Sequence, residues 1–112
     1  MKINGKELKM LYCIGADDEI DEELTKYGVN DLNVYIQKRG FVKAYVKLAA
    51  ILHRWACIKD GNENEAITER EIMTIDAADA YELRDEVIAA YDRGNHRTVE
   101  LKDSKNAESA DK

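Results

Sequence analysis

Apolar and polar residues change rhythm along this chain. Near its start, Leu8, Met10, Tyr12 and Ile14 alternate with Lys9, Leu11 and Cys13, the period of two that turns one row of a strand inward. Asn4-Gly5 precedes them, and that dipeptide tolerates the positive φ angles of a two-residue turn. Lys2-Ile3 and Glu7 to Ile14 are therefore predicted to form a short β-hairpin. A lone hairpin is marginal in water, so this one must pack on the elements that follow.

Beyond Gly15 the period lengthens. Ile20, Leu24 and Tyr27 fall on one helical face behind the acidic run Asp17-Asp18-Glu19, which suits the positive end of a helix dipole, and Tyr27-Gly28 reads as a C-terminal stop. Asp31 is a good N-cap for a helix from Leu32 to Lys38. Gly40 then either ends that helix or bends it into the next. From Phe41 to about Lys59 the positions Phe41, Tyr45, Leu48, Leu52 and Trp55 recur at spacings of three and four, with Val42, Ala49 and Ala56 widening the stripe. This is the predicted central helix.

Asp60-Gly61-Asn62 closes it and opens a polar loop. Thr68 with Glu71 three residues later forms a capping box for a short helix from Glu69 to about Thr74. A last helix is expected from about Asp76 to Arg93, with Ala80, Leu83, Val87, Ile88 and Tyr91 as its apolar side and Gly94-Asn95 as its stop. Residues 102–112 hold two alanines as their only apolar content and read as a disordered tail. The expected fold is α+β and mostly α: one domain over residues 1–101, a short N-terminal hairpin followed by four or five helices packed as a small bundle.

Composition narrows the class without naming an activity. A chain of 112 residues, 45% hydrophobic and free of proline, has room for one core and favours helix over sheet. The net charge of −6 points away from a general affinity for nucleic acid or anionic membrane. No stretch is apolar enough to span a bilayer, and the start lacks the apolar run of a secretory signal, so a cytoplasmic location is expected. The charge is also segmented. Residues 16–31 sum to −6, residues 32–60 to +5 and residues 61–94 to −7. A basic central helix thus lies between two acidic segments, which pair with it inside one chain or between copies.

Candidate chemistry is sparse. His53 and Cys57 are spaced to put two zinc ligands on one helix face, but a structural zinc wants four ligands, and only His96 and Cys13 remain. A half-buried His53 and a core Cys57 is the ordinary reading. The same pair is a poor nucleophile, because an apolar helix interior raises a thiol's pKa. The many carboxylates have the spacing of solvated helix faces, and the glycines are scattered singly, with no phosphate loop. Neither an enzyme nor a cofactor is indicated.

Taken in order, Ile3-Asn4-Gly5-Lys6-Glu7-Leu8, Ile14-Gly15-Ala16 with its acidic helix, the stripe from Tyr45 to Leu52, Ile67-Thr68-Glu69-Arg70-Glu71, Val87 to Gly94 and Arg97-Thr98-Val99-Glu100 resemble the small tail assembly chaperones of long-tailed bacteriophages and prophages. The resemblance spans most of the chain and contains no catalytic signature. It implies a non-enzymatic protein of the bacterial host cytoplasm, absent from the mature virion. Such a protein coats the tape-measure protein and helps bring tail-tube subunits to it, the latter through a form extended by translational frameshifting.

A tape measure is long, helical and apolar, so its chaperone needs an amphipathic surface that accepts helices reversibly. Tyr27, Tyr35, Val42 and Tyr91, with Lys43 and Lys47, are the expected contact residues; closing the small core is the competing role of the apolar ones. The charge pattern further suggests head-to-tail self-association. Two other readings stand beside this one: another small phage structural or connector protein, and an acidic regulator or DNA mimic.

Overall fold

The structure, a computed structural model, describes the backbone of residues 1–110 and the side chains of residues 1–95. The hairpin is present: β1 (Lys2–Ile3) pairs antiparallel with β2 (Lys6–Glu7) in the register Lys2–Glu7 and Ile3–Lys6. Asn4 and Gly5 join them with φ of 54° and 83°, both positive as a type I′ turn requires. The second strand is shorter than predicted. After Glu7 the chain runs on as a strap with no neighbouring strand among the described residues, and its backbone is tied to a helix instead. The Leu11 amide donates to the carbonyl of Leu52 at 3.0 Å, and the Lys9 carbonyl lies 2.7 Å from Nδ1 of His53.

The inward row of the alternation holds for Leu8, which is buried, and for Met10 and Tyr12, which pack against the core. It fails at Ile14, which is 91% exposed. Helix α1 (Ile14–Lys26) begins there, so the period changes from two to 3.6 before the row is complete.

The remaining helices are α2 (Leu32–Arg39), α3 (Phe41–Asp60), α4 (Glu69–Ile72) and α5 (Ala80–Ala110), with single 3-10 turns at Glu63–Glu65 and Ala77–Asp79. Local chemistry sets most of their ends. Tyr27 caps α1 through bonds from its amide to the Glu23 and Leu24 carbonyls. The Asp31 carboxylate accepts from the Val34 amide at 3.1 Å to start α2. Gly40, at φ 103°, ends α2 and turns the chain into α3, a conformation that a side chain would resist. Thr68 and Glu71 close the capping box with bonds of 3.1 and 2.9 Å, and the donation from the Thr68 amide lowers the pKa of the Glu71 carboxyl.

Helix α3 is the element on which the others pack, with α1, α2, α4, α5 and the turn at Glu63–Glu65 all in contact with it. It is accordingly buried on several sides rather than along one stripe. Tyr45, Leu48, Ala49, Leu52 and Ala56 are buried as expected, and Ala44, Val46 and Ile51 join them. Val42 remains exposed and Trp55 half-buried. Leu83, Val87 and Ala90 carry α5 onto this core.

Gly94 does not stop α5, whose backbone continues to Ala110. A Cβ at Gly94 would lie 2.5 Å from the Tyr12 carbonyl oxygen, so the missing side chain lets the strap cross the helix. The tail expected over 102–112 lies outside the residues whose side chains are described. Among the described residues no helix is long and apolar enough to cross a membrane.

Candidate functional site

The Thr68 capping box turns the chain into α4 so that Ile72 is fully buried, while Met73, one residue on, faces outward. The chain then passes through Ile75 and Asp76 into α5. Between this connection and the first two turns of α3 lies an apolar groove of about 180 Å³. Tyr45, Val46, Ile72 and Leu83 are its buried lining; Phe41, Val42, Met73, Ile75, Ala77 and Ala80 are the more exposed part, and Asp76 is the one charged residue in it among the described residues. The Phe41 ring sits 5.2 Å from both Tyr45 and Tyr81. Val42 and Met73 in this lining are 48 and 53% exposed, and Tyr81, 63% exposed, stands next to it against Phe41. Soluble domains scatter such residues singly, so their grouping makes this depression the candidate site.

The residues expected to contact a partner are not gathered in one place. Val42 lines the groove, and Lys43 beside it is exposed. Tyr91 lines a second, smaller apolar depression with Leu32, Ile36 and Ile88, and its ring lies 4.4 Å from that of Tyr12. Lys47 stands in a polar cleft, 3.5 Å from Glu69. Tyr35 is fully buried and donates its hydroxyl to Glu23 at 2.6 Å. It belongs to the core, as does Glu23. Arg39 completes that cluster, 2.7 Å from the Glu23 carboxylate and stacked 5.0 Å from the centroid of the half-buried Tyr27 ring.

Missing from the expected set were Phe41 as a groove residue, Met73, Ile75 and Tyr81. The available signal was the apolar Met73 and Ile75 beyond a capped helix, and a tyrosine beside the Ala80–Leu83–Val87 row instead of on it.

The acidic segments fold back on the basic helix. Arg54 pairs with Glu19 and Glu63, and Lys47 with Glu69 at 3.5 Å. Asp76 has no such partner among the described ion pairs.

His53 and Cys57 meet as core neighbours. The thiol lies 3.5 Å from Nε2 while Nδ1 faces the Lys9 carbonyl, so the ring donates from Nδ1 and accepts at Nε2. Burial, with Asp60 nearby, pushes the Cys57 thiol up, away from the nucleophilic thiolate. Among the described residues no group of three His, Cys, Asp or Glu side chains is placed to hold a metal. Compared with known proteins, the chain matches no family model, no curated protein and no solved structure.

Proposed function

We propose that the protein is a tail assembly chaperone of a long-tailed phage or prophage, which holds helices of the tape-measure protein on its apolar groove until the tail tube replaces it. The observation that carries this reading is the groove with the exposed Val42 and Met73 in its lining and Tyr81 packed on its Phe41. A helix laid there buries its apolar face against α3 and α5, the usual way a groove takes an amphipathic helix. One contact of this size is weak, and many copies along one client act by avidity, so the coat is both stable and removable. Such work needs no catalytic group. Recruitment of tail-tube subunits falls to a frameshift-extended form, and the place of action is the cytoplasm of the host.

Co-expression with the tape-measure protein encoded by the same phage or prophage tests the proposal. The expected result is a soluble co-purifying complex, with the chaperone missing from purified virions by mass spectrometry. Recovery of the protein in stoichiometric amounts from virions identifies a connector instead, and competition with DNA for a basic protein identifies a DNA mimic. A sedimentation series against salt decides whether copies also associate through their opposed charges.

A further inference from the structure

We infer that the groove between α3 and α5, in the chaperone role just proposed, selects a helix carrying one bulky apolar side chain with a lysine or arginine on its flank, the cation meeting Asp76. Volume comes first. At about 180 Å³ the depression is smaller than the roughly 300 Å³ at which pockets for small organic ligands begin, and it suits a side-chain anchor. Its shape agrees, because Ala77 and Ala80 leave space on the α5 side while Phe41 and Val46 bound the α3 side. Met73, unbranched and half-exposed at the mouth, can adapt to anchors of different shape.

Charge then fixes what stands beside the anchor. Glu19, Glu23, Glu63 and Glu69, and Asp60 near the strap, already face cations of this chain. Asp76 faces none among the described ion pairs, and although it precedes the turn at Ala77–Asp79, its side chain accepts no capping hydrogen bond there. An unneutralised carboxylate on the edge of an apolar groove favours a cationic flank and disfavours an acidic one.

Two alanine-rich helical peptides of about 18 residues, alike except for Lys or Glu four positions after a single Phe, are the probes. The full chain, labelled with ¹⁵N, is titrated with each and followed by amide chemical shifts. The Lys peptide should move residues 41–46 and 72–83 and bind about three- to fivefold more tightly than the Glu peptide at low salt, with the difference fading near 0.5 M NaCl. Asp76→Lys removes no capping bond and should fold normally while inverting the preference. Equal binding of the two peptides, no binding of either, or shifts on another face overturns the inference. So does a groove whose signals move with protein concentration alone, which makes a second copy the occupant.

The same Asp76→Lys variant co-expressed with the tape measure separates the two claims. A client held equally well by both proteins sinks the Asp76 inference and leaves the chaperone reading standing. Inverted peptide preference without any tape-measure binding does the reverse.

Discussion

The α-carbon of Gly15 lies flat against the indole of Trp55. A Cβ there would stand 2.4 to 2.6 Å from three atoms of the ring, well inside any van der Waals contact. The ring is not free to withdraw, because its Nε1 donates to Glu19 at 2.8 Å and Arg54 stacks on it at 5.5 Å. Gly15→Ala therefore sets about 1 kcal/mol of helix propensity gained against overpacking of about 1–3 kcal/mol and a strained hydrogen bond. The clash wins. Urea unfolding should show a net loss of about 1–2 kcal/mol, and a gain in stability would mean that the indole moves without cost.

Gly94 makes the same point on α5, with backbone as the obstacle. Its absent Cβ would meet the Tyr12 carbonyl oxygen at 2.5 Å and the Tyr12 Cβ at 2.9 Å, and main chain yields less readily than a side-chain tip. Gly94→Ala should cost more than Gly15→Ala, about 2–3 kcal/mol, and should loosen the strap specifically. Hydrogen exchange at the Leu11 amide, which bonds to Leu52, is the local reporter. An unchanged exchange rate there would show that the strap does not depend on this crossing.

These two glycines also show where the sequence was legible and where it was not. Caps and turns are local chemistry: Asn4-Gly5, Asp31 and the Thr68–Glu71 box each specify their own geometry through residues within reach of one another, and all stand where expected. Gly94 looks like another local signal, a helix stop, yet its reason is a strap some eighty residues away in sequence. Tyr35 and Val42 reverse roles for the same cause. Both sit on amphipathic segments, but only packing on α3 from different sides decides that Tyr35 of α2 is sealed over Glu23 of α1 and that Val42, facing the α4–α5 connection, is left at a groove. The groove itself needs three separate segments, so no single stretch of sequence announces it.

Glu23 and Arg39 form an ion pair with the carboxylate buried, and Tyr35 donates to the same oxygen. Removing one partner strands a charge in the interior. Arg39→Met should lose about 3 kcal/mol, whereas Glu23→Gln keeps an acceptor for both donors and should lose less. The double variant should be more stable than the sum of the two losses predicts, since it leaves no charge behind. Additive losses in a double-mutant cycle would show the two groups to be energetically independent.

Stability should fall on the alkaline side. Tyr12 and Tyr35 both have phenol pKa values pushed far up, first by burial and next by donating to Asp17 and Glu23 respectively. The folded state thus holds these protons more tightly than the unfolded chain. That stabilisation is complete below the unfolded pKa of about 10 and is lost as pH rises above it. The urea midpoint should be level from about pH 7 to 9.5 and drop beyond about pH 10. Tyr12→Phe/Tyr35→Phe should flatten the drop while lowering the neutral-pH midpoint; an undiminished slope would assign it to other groups.

The groove should separate binding from folding. Met73 and Tyr81 are more than half exposed, so Met73→Ser should change stability by only about 0.5 kcal/mol, and Tyr81→Ser, which also gives up the Phe41 ring contact and the Arg84 stack, by about 1 kcal/mol. Leu83, on the floor of the same groove, is 2% exposed, and Leu83→Ala should cost about 2–5 kcal/mol through the cavity it leaves. If the groove holds the client, the two surface variants should lose tape-measure solubilisation while remaining folded, because an apolar helix needs those side chains to cover it. Ile88→Ser, in the neighbouring depression, serves as the control at similar exposure and should retain the client. Should Ile88→Ser fail and Met73→Ser and Tyr81→Ser succeed, the client surface moves to the α2–α5 side, where Tyr91 stands.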